Sequence, residues 1–169
     1  MPSAAERRLF LMVAAVVVVL DAITKAIAEA YLPGVAGVPV LGEFFQLRLV
    51  YNQGAAFGLH LGPLSRWFFL GFAIVAVGVL NLLSRSADPG DWTRQLACGL
   101  VAGGATGNLI DRIRSARGVV DFLDFGIGAY RWPTFNVADI AVSCGAIALV
   151  ISMWREDSQR PQPESASAA

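Results

Sequence analysis

The sequence predicts an all-α membrane protein with four transmembrane helices, a small β-cradle between helices 1 and 2, and a loop or short helix between helices 3 and 4. Of the 169 residues, 56% are hydrophobic and only 15% are charged, and the mean hydropathy is +0.58. Soluble globular proteins rarely have this balance. Four spans of about 20 residues use nearly the whole chain. We therefore expect one four-helix transmembrane domain, 1–154, and a disordered cytoplasmic tail, 155–169.

The polar composition argues against several classes of function. The formal charge is zero, with 13 basic and 13 acidic residues, so no nucleic-acid partner is expected. Cys98 and Cys144 lie within apolar runs, where a free cysteine usually acts as a small hydrophobic residue. His60 is the only histidine. Neither a metal site nor a cofactor is therefore expected.

The first span begins with an apolar run at 9–20 that follows two arginines. With the small residues around Glu29, it imitates a cleavable secretory signal peptide. The helical pattern continues well beyond the run, which favours a retained span. Its second half carries Asp21, Lys25 and Glu29 at i, i+4 and i+8, and therefore on one face. That face must look inward or towards the interface, where the long side chain of Lys25 can reach the surface.

The segment 31–63 contains three prolines and six glycines, too many for a helix, and its residues 45–49 alternate apolar and polar. Short strands at the bilayer surface are predicted, because open sheet edges are not tolerated in lipid. The later spans are predicted at 67–83, 96–113 and 133–154, the last beginning at Pro133. Glycines recur at i+4 along the third span, which predicts close helix packing. The tryptophans mark the span ends: Trp67, Trp92, Trp132 and Trp154.

Most polar residues within or beside the spans fall on one membrane face in this topology. They are Asp21, Lys25, Asn52, Asn108, Asp111, Arg112, Asp121, Asn136 and Asp139. The opposite half offers little besides Asn81, Ser143 and Ser152. Because a buried polar group is costly in lipid unless it is paired, this asymmetry predicts a functional site.

Asp121 and Asp139 are the candidate reactive residues of that site. Two carboxylates in a low-dielectric pocket cannot both ionise, so one keeps a proton and the pair offers an acid and a base at one pH. This is the chemistry of an aspartyl protease. The residues alone leave Asp124 open as an alternative to Asp121. Asp111 is predicted to pair with Lys25 or with its neighbour Arg112.

Five motifs together resemble one known family. They are DAITK at 21–25, YNQGAAF at 51–57, GGATGNLIDR at 103–112, VVDF at 119–122 and FNVAD at 135–139. Over about 9–154 the chain resembles bacterial lipoprotein signal peptidase, or signal peptidase II. The resemblance implies an intramembrane aspartyl endopeptidase that removes signal peptides from prolipoproteins, cleaving just before a diacylglyceryl-modified cysteine, and that globomycin inhibits.

The resemblance also assigns residues. It places the catalytic pair at Asp121 and Asp139, not at Asp124. The supporting or substrate-binding positions it implies are Asp21, Lys25, Asn52, Gly54, Gly104, Asn108, Asp111, Arg112, Asn136 and Ala138. It implies an enzyme of the bacterial inner membrane, among membrane lipids, and we expect a multi-pass monomer. Both termini are expected in the cytoplasm, because Arg7 and Arg8 flank the first helix and an even number of spans returns the chain to its starting side, so the β-cradle, the helix 3–4 loop and the active site are expected at the periplasmic face. Gly104 and the glycines near it would leave room for acyl chains.

Two alternatives have their own sequence requirements. A small transporter or channel subunit with a buried charged cluster should carry polar residues across the whole membrane, whereas the cluster here stops at about half depth. A Ser-Lys protease would use Lys25 as its base. The nearest serines, Ser65 and Ser115, are predicted to lie in loops, away from the charged face of the spans.

Overall fold

Four helices and a small sheet make up the computed structural model of this chain, which describes residues 1–54 and 62–159. The helices are α1 (Ala4–Tyr31), α2 (Ser65–Arg85), α3 (Trp92–Arg114) and α4 (Val137–Gln159). A short 3₁₀ turn, Gly62–Leu64, leads into α2. His60 and the residues beyond Gln159 lie outside the described residues. Residues 155–159, which were predicted to belong to the disordered tail, continue α4.

Three of the helices are long and apolar enough to cross a membrane: Ala4–Tyr31, Ser65–Arg85 and Val137–Arg155. A helical protein of the membrane type is thereby confirmed. The remaining helix, α3, contains many small and polar residues and packs against each of the other three. A helix surrounded by helices has little lipid to face, so its side chains need not be strongly apolar. That α3 is a fourth span stays a prediction.

The glycines of α3 allow its neighbours to approach closely, as the i+4 spacing predicts. A Cβ at Gly99 would lie 2.9 Å from the carbonyl oxygen of Phe10, and one at Gly103 would lie 2.8 Å from that of Ala14. At Gly104 the space is filled by the backbone of Ala138 on α4. The expectation that Gly104 leaves room for acyl chains is therefore wrong, because helix backbones occupy that room.

The sheet has four antiparallel strands in the order β1 (Val38–Leu41), β2 (Phe45–Asn52), β3 (Val119–Ile127) and β4 (Tyr130–Arg131). Strands between α1 and α2 were predicted and are confirmed. The predicted loop or short helix between α3 and α4 is wrong, since that segment forms β3 and β4. Pairing with β2 satisfies the backbone groups of the largely buried β3, which a loop would leave unpaired. The molecule is therefore not all-α.

The chain enters α4 later than expected. The helix begins at Val137, not at Pro133, because Phe135 is still engaged with β3. The amide of Phe135 donates to the carbonyl oxygen of Leu123 at 3.1 Å, and its own carbonyl accepts from the amide of Leu123 at 2.8 Å. This bridge sets the first turn of α4 directly beside β3, and it thereby positions the carboxylates described next.

Candidate active site

A buried ion cluster lies behind the candidate site, where α1, α3 and α4 meet. Lys25 Nζ is 2.7 Å from Asp21 Oδ2 and 2.7 Å from Asp111 Oδ2, and it donates to Asn108 Oδ1 at 2.9 Å. Lys25 is only 3% exposed, so the expectation that it reaches the surface is wrong: two carboxylates hold it inside. The predicted inward face of α1 and the predicted Lys25–Asp111 pair are confirmed.

This cluster also binds the backbone of neighbouring elements. The amide of Ala138, at the start of α4, donates to Asp21 Oδ1 at 2.9 Å. The amide of Val120, on β3, donates to Asp111 Oδ2 at 3.2 Å. The two elements that carry Asp121 and Asp139 are thus attached to the same charged core.

Asp121 lies on β3 and is 2% exposed. It accepts hydrogen bonds from two side-chain amides, Asn136 Nδ2 to Oδ1 at 2.7 Å and Asn52 Nδ2 to Oδ2 at 3.0 Å. Asn52 is oriented in turn by the amide of Gly54, which donates to its Oδ1 at 3.0 Å. Residues distant in sequence therefore supply the partners that the local sequence of Asp121 lacks.

Asp139 lies in the first turn of α4 and has two functions there. Its Oδ2 accepts from the amide of Asn136 at 3.2 Å, and Asn136 Oδ1 accepts from the amide of Asp139 at 2.9 Å, which is a reciprocal cap of the helix start. Its Oδ1 accepts from Asn108 Nδ2 at 2.8 Å. Asn136 thus bonds to both aspartates and connects them.

The electrostatic environment favours one proton on the pair near neutral pH. Burial, followed by the charge of Asp139, raises the pKa of Asp121 to about 7. The hydrogen bonds from Asn52 and Asn136 and the charge of Lys25 oppose this shift without cancelling it. Asp121 therefore keeps its proton below about pH 7 and loses it above.

Both aspartates line one cavity of about 840 Å³. Its polar side includes Asn52, Asn108 and Arg112, and its apolar side includes Ile140 and Val142 of α4. Arg112 is buried and donates to the carbonyl oxygens of Asn108 and Gly54, both at 3.0 Å. The cavity can therefore hold an extended polar backbone beside an apolar group.

Asp124 has a different environment from Asp121, although both lie on β3. Its carboxylate is 3.0 Å from Nη2 of Arg131, whose Nε also donates to it at 3.1 Å. Arg131 further donates to the carbonyl of Glu43, so this pair fastens β4 to the β1–β2 turn. Asp124 does not line the cavity of the two other aspartates.

A second polar cluster, at the opposite end of the helices, was missed by the sequence reasoning. Arg7 donates to Asn81 Oδ1 at 2.9 Å and to Ser84 Oγ at 2.5 Å. The fully buried Gln95 bonds to both the hydroxyl and the carbonyl of Ser84. The predicted one-sided distribution of polar residues is therefore wrong. The Gln at the start of a predicted span was the available signal.

The two polar clusters are not continuous within the described residues. Along the helices an apolar cluster of Phe10, Leu80, Cys98 and Ala102 comes between them. Ser65, predicted to lie in a loop, is the first residue of α2, because the helix starts two residues before its predicted beginning.

The fold and the site together define a helical protein of the membrane type with a paired-carboxylate cavity. The family model described as signal peptidase (SPase) II matches residues 13–155. The lipoprotein signal peptidase of Nitratidesulfovibrio vulgaris (strain DP4) is 44% identical over 160 residues, which cover 93% of each chain. That of Oleidesulfovibrio alaskensis is 42% identical over 147 residues, 85% of this chain and 93% of the relative.

Solved structures agree with the sequence relatives. A bacterial membrane enzyme determined by the in meso method at 2.3 Å resolution superposes with a TM-score of 0.80 at 30% identity, covering 92% of this chain and 93% of that one. A second such enzyme, at 1.9 Å, gives a TM-score of 0.76 at 30% identity, with 87% and 93% covered. This chain therefore belongs to the signal peptidase II family and is a protease of the membrane type.

Proposed function

We propose that this chain is an intramembrane aspartyl endopeptidase that removes signal peptides from diacylglyceryl-modified prolipoproteins, with Asp121 and Asp139 as the catalytic pair. It cleaves the peptide bond just before the lipidated cysteine. The observation that carries this proposal is the pairing of the two carboxylates, connected by Asn136 and lining one cavity. Family membership supports the substrate class.

The proposed mechanism uses one proton shared by the pair. The ionised carboxylate takes a proton from a water molecule that attacks the scissile carbonyl carbon. The protonated carboxyl, Asp121 in the resting state, donates to the carbonyl oxygen, and a proton then passes to the leaving nitrogen. Asn52, Asn108 and Asn136 hold the carboxylates in place through the hydrogen bonds described above.

The remaining site residues support this pair from behind. The Asp21–Lys25–Asp111 cluster fastens β3 and α4 to the helices. Arg112 donates to the carbonyl oxygen of Gly54, whose amide in turn donates to the side chain of Asn52. The backbones of α3 and α4 meet at Gly104 and Ala138. These positions are supporting residues in the proposal, while the apolar wall of α4 suits an acyl chain or an apolar peptide side chain.

In the proposed topology, α3 is a fourth transmembrane span. The sheet and the active site lie at the periplasmic face of the bacterial inner membrane, and both termini are cytoplasmic. The enzyme works as a monomer within 1–154, and globomycin blocks the aspartate pair. A conduit is disfavoured because apolar side chains separate the two polar clusters. Lys25 is disfavoured as a base because its ammonium group is bound by two carboxylates and Asn108.

A cleavage assay tests the proposal. The purified protein in lipid nanodiscs is incubated with a diacylglyceryl-modified prolipoprotein and, separately, with its unmodified form. We expect cleavage of the modified form only, and at least about a 100-fold loss in Asp121→Asn and in Asp139→Asn, since each variant lacks an acid-base group. Globomycin should inhibit the wild type.

Asp124→Asn is the matched control, because it makes the same change on the same strand outside the cavity. Its amide oxygen can still accept from Arg131, so we expect cleavage within about fivefold of the wild type. Full cleavage by either Asp121→Asn or Asp139→Asn would falsify the catalytic pair. A folded but inactive Asp124→Asn would count against the choice of aspartate.

A further inference from the structure

A polar cluster on the far side of the sheet from the aspartates is not explained by the proposed mechanism. The hydroxyl of Tyr51 donates to Glu29 Oε1 at 3.0 Å, and Arg117 Nη2 lies 3.4 Å from the same oxygen. The guanidinium of Arg117 also covers the Tyr51 ring, 4.0 Å from its centre. The three residues come from β2, the last turns of α1 and the turn before β3. They therefore connect three separate elements.

The end of the strand that carries Tyr51 pairs with β3 separately from the rest of β2. A register shift between Leu47 and Val50 separates the last three residues of β2 from the rest of its pairing with β3. Val50 pairs with Asp121, and Asn52, the last residue of the strand, pairs with Val119. A three-residue strand end of this kind depends on side-chain anchors to keep its position.

Neighbouring side chains of a strand point to opposite faces. Tyr51 accordingly contacts Glu29 on one face, while Asn52 contacts Asp121 on the other. Burial, and then the hydrogen bond to Glu29, raise the pKa of Tyr51 above its usual range, so the hydroxyl keeps its proton and donates. The anchor on one face therefore fixes the donor on the other.

We propose that Tyr51 is a positioning residue for the reaction, held by Glu29 and Arg117 so that Asn52 stays within hydrogen-bond distance of Asp121. This inference rests on the proposed function. Loss of the anchor lets the strand end shift and weakens the bond from Asn52. Since that bond stabilises the ionised form of Asp121, its weakening favours the protonated form.

The other charged groups that face Asp121 come from different elements. They are Asp139 on α4, Lys25 on α1 and Arg112 on α3. None of these three charged groups contacts Tyr51 in the described structure, so none of them transmits a change at Tyr51 directly to Asp121. Glu29 and Arg117 are the charged groups that face Tyr51 itself.

The first test reads the protonation of Asp121 without any substrate. Protein labelled with ¹³C at the aspartate carboxyl carbons is titrated by NMR in nanodiscs, and the Asp121 signal is assigned by its loss in Asp121→Asn. We expect Tyr51→Phe to move the titration of Asp121 to higher pH, in the direction of the reference variant Asn52→Ala. Tyr31→Phe, the same change at a 78% exposed tyrosine at the end of α1, should titrate as the wild type.

The second test reads the reaction. Loss of one positioning hydrogen bond should lower kcat about 3- to 10-fold, with little change in KM. Glu29→Ala should behave as Tyr51→Phe does, whereas Glu29→Gln, which keeps an oxygen acceptor, should retain most activity. The double variant Tyr51→Phe/Glu29→Ala should be no worse than Glu29→Ala alone, because Glu29→Ala already removes the hydrogen bond that Tyr51→Phe removes.

The inference is overturned if Tyr51→Phe leaves the Asp121 titration unchanged while Asn52→Ala shifts it, whatever the rate does. If Tyr51→Phe fails to fold, Glu29→Ala removes the same hydrogen bond from its partly exposed side and decides the question by the same titration. Failure of the wild type to cleave a prolipoprotein would refute the proposed function instead, and the titration would still decide whether Tyr51 positions Asn52.

Discussion

Raising the pH through neutrality should switch the enzyme off, because the pair then loses its shared proton. The pKa of Asp121 is raised from 3.8 to about 7. A shift of this size corresponds to about 4 kcal/mol in favour of the protonated form. About 90% of Asp121 carboxyls carry the proton at pH 6 and about 10% at pH 8, so kcat/KM should fall about tenfold between these values.

The assay is initial-rate cleavage of a diacylglyceryl-modified prolipoprotein in nanodiscs between pH 5 and 9, below KM. The sign follows from the direction of the shift: a raised pKa keeps the acid present below about pH 7 and removes it above. Asn52→Ala should move the alkaline limb to higher pH, because the Asn52 hydrogen bond lowers the pKa of Asp121. Asp124→Asn should leave the limb in place.

A flat profile up to pH 9 in the folded wild type would refute this reasoning. A limb that moves equally in Asn52→Ala and in Asp124→Asn would also do so, since the shift would then not depend on the Asn52 hydrogen bond. Circular dichroism at each pH distinguishes deprotonation of Asp121 from unfolding of the protein.

Three further substitutions test the packing around the site. Gly103→Ala should destabilise the fold by about 1–3 kcal/mol, because a Cβ would lie 2.8 Å from a backbone oxygen of α1. Lys25→Met should cost about 3–5 kcal/mol, since two buried carboxylates lose their counter-ion. Gly118→Ala should cost about 1–2 kcal/mol from its φ of +102° alone and should also lower activity, because its Cβ would meet the backbone of Asn52.

Each of these has a matched control, and all are measured by SDS unfolding in mixed micelles followed by circular dichroism. Gly71→Ala adds a Cβ in open space on α2, so it should be neutral or stabilising. Arg8→Met removes an exposed charge near the start of α1 and should have little effect. Gly128 also has a positive φ, +58°, and a Cβ there would have nothing within 4 Å, so Gly128→Ala tests a positive φ without a collision. A control as damaging as its partner would contradict the packing argument.

Local patterns account for what the sequence predicted correctly. Apolar runs located the helices because a span must satisfy its own backbone and cover its surface with apolar side chains. The i+4 spacing of Asp21 and Lys25 placed both on the inward face of α1, and the glycine spacing of α3 indicated its close packing. The alternation at 45–49 indicated a strand. Each of these patterns lies within a short stretch of a single helix or strand.

What the sequence by itself determined was therefore the set of helices and the inward charged face of α1. Only the tertiary structure decided that the segment after α3 is a strand, that Asp124 belongs to Arg131, and that Gln95 and Arg7 form a second polar cluster. The physical reason is that β2 and β3 lie about 70 residues apart. Neither segment carries a sequence pattern that shows which strand it pairs with. The same holds for a hydrogen bond across the pair, such as that of Asn52 to Asp121.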